Sequence, residues 1–341
     1  MIRFLIRRIV GAVFVLVVIT LVTYWLFYAV PNIFHSNPAV LYAGRSPSPA
    51  TIAAVSHKLG LDQPFWTQYW DFLKGIVAGR TYSAGPGDFN VCHAPCLGYS
   101  FINTQSVWSE IISDLPVDIS LTIGAAILWL ISGVSIGVLS ALRRGSIFDR
   151  SMMTVALAGV SLPIYFTALL ALAIFSYGSF SGLEWLKILP NPHFVGFTSN
   201  PLSWARNLIL PWVCLAFLYA ALYARLTRAT MLETMSDDYI RTARAKGLSE
   251  RRVIVRHGLR AALTPIVTIF GLDVGLLLGS AVLTEVVFGY VGIGKLAISS
   301  IGTRDLPVVL GVTLFAAFFV VVANIIVDVL YAYVDPRVTY S

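Results

Sequence analysis

Long apolar runs without charge constrain this chain more than any other feature of its sequence. A helix needs roughly 20 apolar residues to cross a hydrocarbon core of about 30 Å. Five charge-free runs meet or approach that length: Ile9–Val30, Ile119–Leu142, Ser151–Gly182, Asn207–Ala224 and Leu306–Val327. A sixth, Ala261–Phe288, is interrupted only by Asp273 and Glu285. The composition, 57% hydrophobic and 12% charged, excludes an ordinary soluble domain. We therefore predict an all-α, polytopic membrane protein with about six transmembrane helices.

The Lys and Arg residues predict how these helices are oriented. With the N-terminus inside, 16 of the 24 basic residues lie on the inner side, nine of them between Arg225 and Arg260. This satisfies the positive-inside rule, so both termini are expected to be cytoplasmic. The net charge of +7 then needs no nucleic-acid partner. The first apolar run exceeds a signal-peptide core and is expected to remain as an anchor. The run Ser151–Gly182 is expected to be one helix, either kinked at Pro163 or starting near it.

Residues 31–116 form the largest non-spanning segment and are predicted to be extracytoplasmic. A helix starting at Pro64 would place seven aromatic or aliphatic residues on one face: Phe65, Trp66, Tyr69, Phe72, Leu73, Ile76 and Val77. That face suits either the membrane interface or a cap packed on the outer ends of the spans. The following loop contains Cys92 and Cys96, which with His93 make an incomplete zinc set. A small structural disulfide is the favoured interpretation in an oxidising compartment.

The inner segment Asp237–Pro265 is basic but is predicted to be ordered. Ser236 or Asp237 can cap a first helix, Gly247 can end it in a left-handed conformation, and Ser249 can cap a second helix. Apolar residues recur along the segment: Tyr239, Ile240, Leu248, Val253, Ile254 and Leu259. The alternative is a solvated stretch that only satisfies the positive-inside rule, which would not need these caps and apolar positions. We also expect the small residues Ala243 and Gly247 to let another surface approach the backbone.

Polar groups inside the spans are few, and each is costly unless it is paired or hydrated. The candidates for a translocation path or gate are Asp273, Glu285 and Asn324. Helix pairing or placement at the membrane interface is the favoured alternative for Glu285, and for Asp273 both interpretations stay open.

Motifs for chemistry on this chain are absent or incomplete. Gly289–Lys295 matches the start of a phosphate-binding loop, but Leu296 replaces the hydroxyl residue that holds magnesium, and no buried strand is predicted before it. The sequence contains no H-E-x-x-H or G-x-S-x-G, and its five histidines lie scattered over loops. We predict no catalytic residue, metal site or bound cofactor, and ATP binding is not expected here.

The inner loop resembles the EAA loop of ABC importer permeases. The resemblance rests on Thr242-Ala-Arg-Ala-Lys-Gly247, followed by Leu259 and Pro265, with Thr242, Ala243 and Arg244 at the Glu-Ala-Ala positions. Further segments resemble the dipeptide/oligopeptide branch, and specifically the first of its two permeases: Arg3–Arg8, Leu59–Pro64, Gly279–Phe288, Gly292–Gly294, Arg304–Pro307 and Asp335–Arg337. The loop Thr81–Ser100 is longer than in that branch, and Tyr290-Val291 replaces its usual Trp-Pro.

The resemblance implies a type I ABC importer permease with the MetI-like fold in a bacterial cytoplasmic membrane. Residues 1–30 would form the cytoplasmic tail and first span, residues 31–116 the extracytoplasmic segment, and residues 117–341 the permease core with the EAA loop at about 231–263. Ten residues would couple the chain to ATPases: Tyr239, Ile240, Arg241, Thr242, Ala243, Arg244, Ala245, Lys246, Gly247 and Leu248.

The implied partners are a second permease, two ATPase domains that bind ATP and magnesium, an extracytoplasmic binding protein and membrane lipid. Peptides are the expected substrate, with nickel, glutathione or another small solute as alternatives. A stand-alone secondary transporter is the alternative from a different class. It would require ionisable groups at mid-membrane or an inverted repeat, and would leave the basic loop unexplained.

Overall fold

The computed structural model describes residues 2–29, 38–41, 48–85, 88–179, 184–279 and 281–334, and helices dominate it. The helices are α1 (Ile2–Tyr24), α2 (Pro49–Leu59), α3 (Phe65–Ala78), α4 (Val107–Leu142), α5 (Ile147–Ser161), α6 (Ile164–Leu172), α7 (Pro201–Ser236), α8 (Asp238–Ala245), α9 (Glu250–Arg252), α10 (Arg260–Ala262), α11 (Thr264–Gly279), α12 (Val282–Phe288), α13 (Ile293–Thr303) and α14 (Leu306–Val334). The strands are β1 (Arg80–Gly85), β2 (Asp88–Cys92), β3 (Tyr99–Ser100) and β4 (Gln105–Ser106). This architecture confirms the predicted all-α class.

Shorter turns extend or connect these helices. The π-helical turns are Trp25–Ala29, Ala173–Tyr177 and Val253–Leu259, and the 3-10 turns are Pro38–Leu41 and Glu184–Leu186. Residues 335–337, which contribute to the sequence resemblance, lie outside the described residues.

Four stretches of the described residues are long and apolar enough to cross a membrane: Ile6–Tyr28, Val107–Leu142, Pro201–Ser236 and Leu306–Val327. Three pairs of helices also meet the criterion but are bent at a short break: Ile147–Ser161 with Ile164–Tyr177, Glu250–Ala262 with Thr264–Gly279, and Val282–Phe288 with Ile293–Thr303. Within the described residues the number of candidate spans therefore lies between four and seven, a range that contains the predicted six.

The third apolar run bends more sharply than a kinked helix. Helices α5 and α6 meet at 101° across Leu162 and Pro163. Proline has no N–H to continue the helix, and its ring disfavours helical backbone at the preceding residue. Leu162 accordingly adopts an extended conformation, with φ −86° and ψ 128°. Proline thus turns the chain into a second helix, while residues 180–182 of this run lie outside the described residues.

The sixth apolar run, expected to be one span, divides into two helices. Helix α11 ends at Gly279, Ser280 lies outside the described residues, and α12 begins at Val282. Gly289 then ends α12 with φ +73°, a left-handed conformation that glycine adopts without strain. A helix rather than a strand therefore precedes the Gly289–Lys295 motif, so the strand–loop–helix geometry of a phosphate-binding loop is not formed there.

Contacts between residues divide the chain into two compact units, of which the first comprises Met1–Pro116 and Gly292–Val321. One core of this unit joins α1, α3 and α14 through Tyr24, Tyr69, Phe72, Leu310 and Leu314. The Tyr69 hydroxyl also lies 2.9 Å from the Thr20 hydroxyl of α1. Helix α3 is therefore packed on the ends of apolar helices, as one of the two sequence-based alternatives proposed.

The buried face of α3 is narrower than the sequence predicted. Trp66 and Val77 were assigned to it but are 68% and 81% exposed. At about 100° per residue, both lie roughly 120–140° around the helix from the buried Phe72. Both side chains therefore lie beside the buried face of α3 and outside the core that this face forms with α1 and α14.

The extracytoplasmic loop predicted from the sequence contains a β-hairpin. Strands β1 and β2 pair in antiparallel register, with Arg80 opposite Cys92. A disulfide joins Cys92 to Cys96, and both cysteines are buried. The Ser100 hydroxyl donates a hydrogen bond to the buried Asp305 carboxylate. The hairpin and the segment that follows it, up to Ser100, are therefore folded parts of the first unit.

The second unit comprises Val117–Val291 and Val322–Ser341, and glycines allow close packing of its helices. A Cβ added at Gly133 of α4 would lie 2.6 Å from the Tyr223 Cβ of α7. At Gly137 the added atom would lie 2.5 Å from the Thr227 Cβ. Small residues let helix backbones approach in this way inside membranes. The close approach buries Trp129 completely in the main core.

Candidate functional site

The basic inner loop folds into two short helices, as the sequence predicted. Helix α8 follows α7 after a turn at Asp237, which has ψ 151°, and α9 begins after Ser249, which has ψ 142°. Gly247 lies between them with φ +74°. The predicted side-chain caps are not formed, because neither Asp237 nor Ser249 accepts a capping hydrogen bond through its side chain. Their backbone carbonyls accept from Ile240 and Arg252 instead, at 3.1 and 2.8 Å.

A small hydrophobic core holds the two helices together. It contains Ile240, Ala243 and Val253, with Met235 and Leu248 packed against it. Ala243 is only 7% exposed. The expectation that Ala243 lets another surface approach is therefore wrong, because its methyl group already packs inside the loop. This core distinguishes the segment from a solvated basic stretch.

An ion pair closes the break between α8 and α9. The Arg244 guanidinium donates to both carboxylate oxygens of Glu250, at 3.1 Å from Nε and 2.7 Å from Nη2. The bidentate hydrogen bond from Arg244 holds the pKa of the Glu250 carboxyl below its ordinary value. Both side chains are exposed, so water and salt screen the pair.

The outer surface of the loop is basic and carries one aromatic side chain. Seven of the ten predicted coupling residues are exposed: Tyr239, Arg241, Thr242, Arg244, Ala245, Lys246 and Gly247. Ile240 and Ala243 are buried, and Leu248 is half-buried. Tyr239 is 44% exposed. A Cβ added at Gly247 would meet no atom within 4 Å. This surface can receive a complementary protein, with the Gly247 backbone accessible to it.

The loop is fixed to the membrane helices by contacts at its base. Thr230 of α7 donates a hydrogen bond to the carbonyl of Ala262, at 3.2 Å. A Cβ added at Gly258 would lie 2.8 Å from the Met235 sulfur and 3.1 Å from the Met231 methyl carbon. Packing this close leaves little room for the loop to move independently of α7.

An ion pair at the start of α5, with a buried acid, was not predicted from the sequence. Asp149 is 3% exposed and binds Arg228 of α7 through Nε at 2.7 Å and Nη2 at 2.8 Å. It also accepts from the Gly145 N–H at 2.9 Å. Arg228 and Gly145 together donate hydrogen bonds to both carboxylate oxygens of Asp149. The sequence feature that could have indicated this pair is an acid in the first turn of a helix that follows a basic turn.

The three polar candidates within the spans occupy different environments. Asp273 is half-buried and accepts a hydrogen bond from the Tyr223 hydroxyl, at 2.7 Å. Glu285 is fully buried and accepts from the Ala281 N–H at the start of its own helix, at 3.0 Å. Asn324 is exposed. No group of three or more His, Cys, Asp or Glu residues within the described part of the chain could hold a metal ion.

Two family models cover almost the entire sequence. Residues 133–340 match the binding-protein-dependent transport system inner membrane component, and residues 1–122 match the N-terminal part of that membrane component. The chain belongs to this family. Membership confirms the resemblance found in the sequence and makes the chain a multi-pass permease of the inner membrane.

Full-length relatives of this permease are named as permeases of dipeptide or di/tripeptide transport systems. It is 38% identical to the di/tripeptide transport system permease protein DppB of Pseudomonas aeruginosa, over 95% of this chain and 94% of the relative. It is 36% and 34% identical to the dipeptide transport system permease proteins DppB of Alkalihalophilus pseudofirmus and Escherichia coli K12, each over 100% of both chains. The similarity therefore extends beyond the basic inner loop to the rest of the chain.

Proposed function

We propose that this permease belongs to an ATP-driven importer that takes up dipeptides and oligopeptides. The observation that carries the proposal is end-to-end similarity to permeases named for dipeptide and di/tripeptide transport. An extracytoplasmic binding protein delivers the peptide, and this chain forms the translocation path together with a second permease. Family membership supports a binding-protein partner and separate ATPase subunits.

The exposed surface of the loop supports a coupling role. Its exposed residues, Tyr239, Arg241, Thr242 and Arg244 to Gly247, would contact an ATPase subunit, and Ile240, Ala243 and Leu248 would keep α8 rigid from inside. Closure of the ATPases would displace the loop, and the contacts of Gly258 and Thr230 would carry that displacement to α7. Inward- and outward-facing states then form a two-state element biased by nucleotide.

Reconstitution of the purified complex tests the function. The chain is tagged, extracted in mild detergent, and its co-purifying proteins are identified by mass spectrometry. We expect a second permease, one or two types of P-loop ATPase and a peptide-binding protein. In proteoliposomes, uptake of a labelled dipeptide should require both ATP and the binding protein. Uptake by this chain alone, without ATP, would refute the importer. ATP-dependent uptake of another solute but not of peptides would refute only the substrate.

A further inference from the structure

In the second unit, the Asp273 carboxylate lies beside aromatic side chains. Asp273 lies on α11, and Phe270 precedes it by three residues on the same face. The Asp273 Oδ2 atom accepts from the Tyr223 hydroxyl, at 2.7 Å. Because an acid within a span is costly unless paired or hydrated, such residues are candidates for a substrate pathway.

Four rings from three helices converge beside this carboxylate. Trp129 of α4 stacks on Tyr219 of α7, with ring centroids 4.6 Å apart. The centroids of Tyr223 and Phe270 lie 6.3 and 6.0 Å from that of Trp129. Tyr219 and Tyr223 are four residues apart and therefore share one face of α7. The four rings and the Asp273 carboxylate form a single cluster, called here the aromatic–acidic cluster.

The cluster is partly accessible. Trp129 is completely buried, whereas Tyr219, Phe270 and Asp273 are only half-buried. A group that reaches these three side chains would meet a carboxylate and aromatic rings. Both attract cations, the carboxylate through its charge and the rings through the negative potential of their faces.

We propose that the aromatic–acidic cluster is a transient binding site for the ammonium group of the transported peptide. The inference rests on the proposed function, because a peptide supplies an ammonium group at its N-terminus. One carboxylate and a few rings give a weak site, which suits a path that the solute must leave again. Anionic groups would be repelled from the same position, so the site would also orient the peptide.

Asp273→Asn separates this role from a purely structural one. An amide oxygen accepts the Tyr223 hydroxyl hydrogen bond as a carboxylate oxygen does, so the variant keeps the contact but loses the charge. A structural role predicts normal transport by the variant. A binding role predicts slower transport, because an ion pair with the ammonium can no longer form.

The test is ATP-driven uptake of labelled dialanine by the complete complex in proteoliposomes, with excess binding protein. We expect about a tenfold lower rate for Asp273→Asn, with ATP hydrolysis still stimulated by the loaded binding protein. Asp62→Asn, at an exposed carboxylate outside the spans, is the matched control and should transport normally. Wild-type uptake by Asp273→Asn would overturn the proposal.

A second variant keeps the proposal testable if Asp273→Asn fails to assemble. Tyr219→Leu retains the carboxylate and removes one ring face, and uptake should fall about three- to tenfold. Unchanged uptake by that variant would also overturn the proposal. If the wild-type complex itself takes up no peptide, the proposed peptide function fails, which is a different result from wild-type uptake retained in both variants.

Discussion

Replacing Gly247 with arginine tests the coupling role that we propose for the outer surface of the loop. Gly247 has φ +74°, and a Cβ there would meet no atom within 4 Å. A side chain in this left-handed conformation costs about 1–2 kcal/mol whatever its size. Gly247→Ala therefore adds the strain alone, whereas Gly247→Arg adds the strain, bulk and positive charge on the outer surface. The difference in uptake between the two variants therefore reports the effect of added bulk and charge on the outer surface of the loop.

We expect Gly247→Ala to transport at close to the wild-type rate, because the small core of Ile240, Ala243 and Val253 still holds the loop. Gly247→Arg should lower ATP-driven uptake more than tenfold, since obstructing a protein contact by about 1.4 kcal/mol already weakens it tenfold. ATP hydrolysis should persist but lose its dependence on the loaded binding protein. Uptake and hydrolysis are measured on the same proteoliposomes.

Gly145→Arg is the matched control for this experiment. Gly145 lies in the turn between α4 and α5, has φ +78°, and also has no atom within 4 Å of an added Cβ. The substitution therefore adds the same strain, bulk and charge away from the loop. More than half of wild-type uptake is expected. If Gly247→Arg transports as well as Gly145→Arg, the coupling role assigned to this surface is incorrect.

The remaining predictions concern stability and the ion pairs. Arg244→Glu alone should lower uptake by placing two acids side by side, and the added swap Glu250→Arg should restore it. Gly137→Ala should destabilise helix packing by about 1–3 kcal/mol because its Cβ would overlap the neighbouring helix, whereas Gly11→Ala, with no atom within 4 Å, should not. Asp149→Asn should lower the melting temperature in a thermal unfolding curve, because the Arg228 guanidinium loses the charge of the carboxylate that it binds through two hydrogen bonds.

Local chemistry made some elements predictable from the sequence. The apolar runs fixed the class, and the Gly247 turn followed from glycine's freedom at positive φ. Leu162 and Pro163 marked where the third run breaks, but not the 101° angle, which packing of α5 and α6 against α7 sets. Local patterns identify where a helix ends, and tertiary contacts decide in which direction the chain continues.

Residues separated widely along the chain were beyond sequence reasoning. Asp149 and Arg228 are 79 positions apart, and no periodicity connects them. The burial of Ala243 was missed for a similar reason, since its partner Val253 lies in the π-helical turn that follows the second helix of the loop. Side chains that appear available on an isolated helix become buried when a later segment folds back over them.

Helix α7 is the element that unites these observations. It carries Tyr223 of the aromatic–acidic cluster, Arg228 of the buried ion pair and Met235 beneath the loop. Tyr223 and Ser236 are 13 residues apart, about 20 Å at 1.5 Å per residue, and no proline or glycine lies between them. Such a helix has no cause for a local kink. A displacement of the loop must therefore move α7 as a rigid body or break the contacts at Met235. In the first case Tyr223 moves with the loop, and its hydrogen bond to Asp273 would change unless α11 moved by the same amount. Nucleotide-driven closure would then change the cluster that we propose receives the peptide.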